Sequence, residues 1–268
     1  MRHHVAALID SRGLELPPLP GVAAEVMASS LDDDADTARL AQLIQTDQGL
    51  AGHVLRVVNS PALRAATEIV ALRQAIARLG MNRIREIAIA ASLSGTLFKQ
   101  PVYQAESMRA WKNALCAGLW AKEVARACRK NTEMAYLCGL LHNIGTPVVL
   151  HALGAAGPVR LAECDVVALL AEFGAIAGDL LAREWRLPEP VIATIRLLDD
   201  FAAAGQHADS VAVASCAAGL ARLMLDGKLS ADAVVFESLR HLNLYPDDVV
   251  ALLALRERIE VAMESMAV

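Results

Sequence analysis

Tyr136-Leu137-Cys138-Gly139-Leu140-Leu141-His142-Asn143-Ile144-Gly145 is the stretch that decides the fold of this 268-residue chain. It is an apolar, helix-forming run that ends in two side chains rich in lone pairs, His142 and Asn143, before Gly145-Thr146-Pro147 interrupts it. Adjacent residues on a helix point about 100° apart. His142 and Asn143 can therefore serve one site only where neighbouring helices close around the helix end.

Working outward, the upstream residues 107–129 place Trp111, Leu115, Leu119 and Val124 at helical spacing, and a second helix is expected over 133–144. Residues 154–158 read as a loop. Helices follow at about 165–185 and 189–201, separated by Leu187-Pro188, and three more at 209–225, 230–242 and 247 to the end. On the N-terminal side, Pro17, Pro18 and Pro20 impose an extended strap before a helix over 22–30. Asp36 or Thr37 can cap a helix carrying Leu40, Leu43 and Ile44, and the next carries Leu50, Val54, Val57 and Val58 until Asn59-Ser60-Pro61 stops it. Leu72, Ile76 and Leu79 mark another helix, with Gly80 in a left-handed cap, and Asn82 can cap one running through Ile84, Ile87 and Ala91. There is no period-2 strand pattern, repeat or low-complexity tract. An all-α, multi-helix chain is predicted, with an N-terminal lobe at 1–100, a second lobe at 101–205 and completing helices at 206–268.

Composition narrows the function. Hydrophobic residues make up 55% and charged ones 21%, enough to bury a core. The formal charge of −5 argues against a phosphate-backbone surface, which needs clustered Lys and Arg, so nucleic acid is not an expected partner. Cys116, Cys128, Cys138, Cys164 and Cys216 form no CxxC pair or zinc spacing and read as buried reduced thiols, which fits a cytoplasmic setting. Residues 1–13 hold no apolar stretch of signal-peptide length. The apolar run 211–225 is cut by Arg222 and flanked by Asp209 and Asp226, so it reads as a core helix and no membrane span is expected. His3, His4, His151, His207 and His241 lack carboxylates at metal-binding spacing, and Asp32-Asp33-Asp34-Ala35-Asp36 lacks the central Gly and terminal Glu of a calcium loop.

The decisive stretch resembles the GLLHDIG signature of HD-superfamily metal phosphohydrolases, in which a His-Asp pair ends a helix within a bundle. That resemblance implies an HD-like fold and a metal that would activate water and stabilise phosphoryl charge. This chain keeps the histidine of that pair, His142, and departs from the pattern at the other ligands. Asn143 replaces the aspartate, and a neutral amide cannot neutralise a divalent cation. In Trp111-Lys112-Asn113-Ala114, Asn113 stands where the pattern has histidine. Phe173-Gly174 precedes Gly178 and Trp185-Arg186-Leu187-Pro188 without a histidine, and Leu197-Leu198-Asp199-Asp200 replaces the His-His pair.

Landmarks retained with ligands lost resemble the HDOD family, named for an HD-related output domain. Leu16-Pro17-Pro18-Leu19-Pro20, Ile44-Gln45-Thr46-Asp47-Gln48-Gly49-Leu50, Val58-Asn59-Ser60-Pro61 and Ala75-Ile76-Ala77-Arg78-Leu79-Gly80 are similar to its landmarks, in order, over roughly residues 14–200. The resemblance implies a non-catalytic bacterial signalling module with no metal and no cofactor. Its expected partners are other signalling proteins of two-component or cyclic-dinucleotide systems acting in trans, or a small ligand. The candidates for a vestigial ligand site are Lys112, Asn113, His142, Asn143 and Asp199, of which Lys112, Asn113 and His142 supply anion-binding donors. Three other readings stay open: a residual phosphohydrolase built on His142, Asp199 or nearby carboxylates, a nucleotide sensor that binds without cleaving through donors such as Lys112, Asn113 and His142, and a structural one. In the structural reading His142 is a satisfied core or cap residue, and Asn143 with Gly145 closes the helix in the left-handed conformation.

Overall fold

The computed structural model describes residues 2, 5–7, 16–21, 23–25, 37–61, 63, 68–156 and 160–266. His3, His4, Asp36 and the acidic run before it lie outside them, as does most of the expected helix over 22–30. Among the described residues the regular elements are all helical, as the periodicity predicts. They begin with α1 (Thr37–Thr46), α2 (Gln48–Val58), α3 (Leu72–Leu79) and α4 (Met81–Thr96). Then come α5 (Gln104–Ala127), α6 (Thr132–Leu141), α7 (Gly145–Ala155), α8 (Glu163–Glu184) and α9 (Glu189–Leu197). The chain continues through a 3₁₀ turn (Phe201–His207), α10 (Ala208–Leu225), a second 3₁₀ turn (Ala231–Ala233), α11 (Glu237–His241), α12 (Pro246–Leu253) and α13 (Arg256–Met266).

Two compact units form: Met1–Pro18 with Leu97–Leu255, and Leu19–Thr96 with Arg256–Val268. This partition corrects the 206–268 block, which is split. α13 packs on α4, burying Ile259 and Met266, while α10 and α12 pack on α5. The proline strap is divided as well. The Trp185 indole Nε1 donates to the Pro17 carbonyl at 2.8 Å, and Arg2 pairs with Glu172, both within the larger unit.

In the larger unit, α5 is the central helix. It packs on α6 and α10 and buries Trp111, Leu115, Leu119, Trp120 and Val124, each worth about 1.5–3 kcal/mol when fully removed from water. Fully buried Trp120 still needs a partner for its N–H, and Met224 Sδ on α10 accepts it at 3.3 Å. The close approach of α5 and α6 depends on Gly139, because a Cβ there would sit 2.5 Å from the Ala117 carbonyl oxygen.

The expected single helix over 133–144 is two elements. α6 ends at Leu141, and α7 starts at Gly145 with Pro147 in its first turn, where the missing N–H costs nothing. Glycine at 145 serves packing, since a Cβ would overlap the Gly174 carbonyl and the Gly178 backbone on α8. The loop expected at 154–158 starts later, because α7 runs to Ala155. Residues 230–242 are a 3₁₀ turn and the short α11 rather than one helix, and the final expected helix is α12 and α13.

The smaller unit is organised by Asn59, the C-cap of α2. Its Nδ2 donates to the Leu55 and Ile69 carbonyls, and its Oδ1 accepts from the Ile69 N–H at 2.8 Å. The Asn-Ser-Pro stop is thus a clamp that fixes residue 69 ten positions away. Asn82 is not a cap: it lies inside α4 and accepts from Arg85.

Two apolar stretches, Thr132–Ala155 and Phe201–Leu225, are long and apolar enough to cross a membrane by composition. Both are broken in the fold, the first between α6 and α7 and the second at Gly205 (φ 55°), and their side chains largely line the core of the larger unit.

Candidate functional site

The end of α6 opens onto a cavity of about 430 Å³ in the larger unit. α5 contributes Asn113, and His142 follows the last turn of α6. The segment after α9 brings Asp199 and Phe201; α10 adds Ser215, Gly219 and Arg222. Phe236, Glu237 and Ser238, at the start of α11, complete the lining, the Phe236 ring lying against Gly219 where a Cβ would fall 2.6 Å from it. Asn113, His142 and Asp199, distant in sequence, therefore share one space.

His142 is half-buried and accounts for one of its ring nitrogens internally: Nδ1 donates to the Gly139 carbonyl at 2.7 Å. Nε2 of the neutral ring is then an acceptor. Burial holds His142 below its ordinary pKa, against the opposing pull of the Gly139 carbonyl and the Asp199 carboxylate. The last turn is right-handed through His142 (φ −54°, ψ −30°), and neither Asn143 nor Gly145 has a positive φ. The left-handed closure is thereby corrected.

Asn143 does not reach the cavity lining. Its Nδ2 donates to the Ala110 carbonyl on α5 at 3.0 Å, and its Oδ1 is buried without a hydrogen-bond partner. A carboxylate could not make that bond, since it has no N–H to offer. The amide thus turns a ligand position into a tie between α5 and α6. Lys112 also lies outside the lining and is exposed, because the neighbour of an inward-facing helical residue points about 100° away.

A metal does not fit these residues. No group of three or more His, Cys, Asp and Glu side chains converges among the described residues, and the amide nearest the expected ligand position is spent on a backbone carbonyl. The cysteines offer no alternative. Cys138 and Cys216 are buried, their thiols pushed up to about 12 by desolvation, and Cys116 is buried too. Cys164 is exposed and Cys128 half-buried, so the expectation of five buried thiols fails for these two.

Sequence reasoning missed Ser215, Arg222, Phe236, Glu237 and Ser238. Arg222 alone carried a signal, as the cation interrupting an apolar run. The others depend on how α10 and α11 cross. A larger hollow of about 1020 Å³ lies in the smaller unit, bordered by Leu55, Asn59, Ser60, Ile69 and Val261, and contains none of the HD-pattern positions.

These features define a class: an all-helical, HD-like domain whose metal-ligand positions, His142 apart, carry other side chains. A family model of the HDOD domain matches residues 16–201, and the chain belongs to that family. An HDOD domain protein with unknown function from Geobacter sulfurreducens superposes with a TM-score of 0.75 at 20% identity, covering 100% of this chain and 98% of that one. A candidate metal-dependent phosphohydrolase from Shewanella amazonensis SB2B gives 0.74 at 19% identity, covering 99% and 98%. A curated relative, an uncharacterized protein of Treponema pallidum (strain Nichols), is 28% identical over 204 residues, 72% of this chain. The aligned region spans 39% of that relative's length.

Proposed function

We propose that this chain is a non-catalytic signal-transduction module that acts by binding a protein or small ligand. The carrying observation is the Asn143 amide, which donates to the Ala110 carbonyl from the position where the HD pattern has a metal-binding aspartate. Asn113 in place of a histidine and exposed Asp199 in place of a histidine pair support the same reading. A bundle that loses its ligands keeps a polar cleft, and a cleft can recognise without reacting. The setting that accords with family membership is the bacterial cytoplasm, with partners among two-component or cyclic-dinucleotide signalling proteins and no nucleic acid or membrane. The similarity to a candidate signal transduction protein from Marinobacter aquaeolei VT8 (TM-score 0.71, 20% identity, 65% of that chain covered) supports this in fold alone.

A residual phosphohydrolase is the second reading, favoured by His142 and Asp199 lining one cavity. Elemental analysis of protein purified without chelator or metal-affinity resin, with hydrolysis assays on nucleotides and cyclic dinucleotides, decides between them. The expected result is no stoichiometric transition metal and no turnover. Bound metal with turnover that disappears in His142→Ala would overturn the non-catalytic reading.

A further inference from the structure

We propose that the groove between the second 3₁₀ turn, α11 and α12 docks an amphipathic helix of a partner protein, one whose apolar face is flanked by Lys or Arg. The groove is separate from the His142 cavity, and only Phe236 borders both.

The groove encloses about 420 Å³ within the larger unit and is lined by buried Val234, Leu239, Leu244 and Val249. Its margins are apolar too, but open to water. Val235 is 82% exposed, Tyr245 67% and Val250 60%, three of the four most exposed large apolar side chains among the described residues. Such side chains scattered singly over a surface are ordinary, whereas three gathered around one concavity mark a surface that a partner covers.

The backbone decides what form that partner takes. The N–H groups of Val234, Val235, Leu239, Leu244 and Val249 donate to carbonyls of the same segment, and that of Tyr245 donates to the Asp248 carboxylate at 2.9 Å. These lining positions leave no row of free donors for an added strand. A partner must therefore present side chains, as a helix does when it lays one face into a groove.

Charge chooses among helices. Asp232, Asp247 and Asp248 each adjoin a lining residue in sequence, and Arg240 is the one cation in the lining. Asp232 and Asp247 are exposed and pair with no cation among the described residues. A second copy of this chain, docked about a twofold axis, would bring the same carboxylates against one another, and an anionic lipid surface would meet the same repulsion. Lys or Arg beside an apolar helix face complements them.

The test is fluorescence anisotropy of the full chain with two labelled 14-residue helical peptides, one of leucine and lysine and the other of leucine and glutamate, alongside sedimentation equilibrium of the chain alone. Saturable binding of the leucine-lysine peptide is expected, with none of its glutamate counterpart. Val235→Ser and Val250→Ser should each weaken it about 10-fold with an unchanged melting temperature. Val167→Ser, at an exposed position of α8, should leave it unchanged. Asp232→Asn and Asp247→Asn together should weaken it about 5-fold. No saturable binding through the millimolar range, equal binding of the two peptides, or groove substitutions that do no more than Val167→Ser would overturn the proposal. Full binding with both aspartates neutralised, or a dimer that Val235→Ser dissolves, would overturn it as well. Metal-dependent turnover in the His142 cavity would instead defeat the non-catalytic reading and leave the outcome at this groove unaffected.

Discussion

Two asparagines, both at family landmarks, have opposite fates in the two units. Asn59 uses its amide completely, with Nδ2 on two carbonyls and Oδ1 on the Ile69 N–H. Asn143 uses half, with Nδ2 on Ala110 and Oδ1 buried without a partner. A side chain whose polar atoms are all satisfied is explained by the fold it holds together. One that buries an unmatched oxygen carries a cost that the fold alone does not require, about 1–3 kcal/mol. That difference separates scaffold from vestigial site within one chain.

The largest expected effect sharpens the Asn143 side of the comparison by moving its corner. Gly145→Ala should cost about 3 kcal/mol or more, because the added methyl meets the Gly174 carbonyl and α7 must shift off α8. Urea denaturation would measure it, and a cost near zero would mean that the approach of α7 and α8 is not set by this glycine. Asn59→Ala should cost about 2–3 kcal/mol in the same assay, since three hydrogen bonds are lost and the Ile69 backbone is left unmatched.

Acid comes next, through His53 on α2, six residues before the Asn59 cap. It is buried and accepts from Arg56, and burial first, then the nearby guanidinium, lower its pKa to about 4. The unfolded chain protonates this histidine near its ordinary value of about 6.5. Protons therefore favour unfolding in that window: the contribution is fully present above about pH 6.5 and is lost as pH falls towards 4, by on the order of 2 kcal/mol. Denaturation at a series of pH values should show this slope in the parent chain and a shallower one in His53→Leu. Equal slopes would assign the acid sensitivity elsewhere, with His142 the next candidate because its pKa is lowered too.

The smallest effect is the most informative for the comparison. Asn143→Ala loses one hydrogen bond but also deletes the unmatched oxygen, so it should cost about 1 kcal/mol or less. A cost equal to that of Asn59→Ala would erase the distinction drawn between them.

The helical landmarks were legible because helix periodicity and stop signals are local. Trp111, Leu115, Leu119 and Val124 do line the core from α5, and Asn59-Ser60-Pro61 does end α2. The break between α6 and α7 was half legible. Gly145-Thr146-Pro147 signals an interruption, but proline also suits the first turn of a new helix, and only the packing against α8 tells a stop from a start. Of the site, Asn113, His142 and Asp199 were found through their places in the HD pattern, and the structure brings them to one cavity.

The sequence by itself determined that the chain is helical and that its ligand positions hold amides and carboxylates in place of the expected set, because residue identity fixes which groups can donate, accept or carry charge. Tertiary structure alone decided that α13 joins the first helices, that Asn143 turns to Ala110, and that Ser215, Arg222, Glu237 and Ser238 meet His142. The reason is geometric: side chains far apart along the chain become neighbours only when helices cross, and the crossings are set by how closely residues such as Gly139 and Gly145 let the backbones approach.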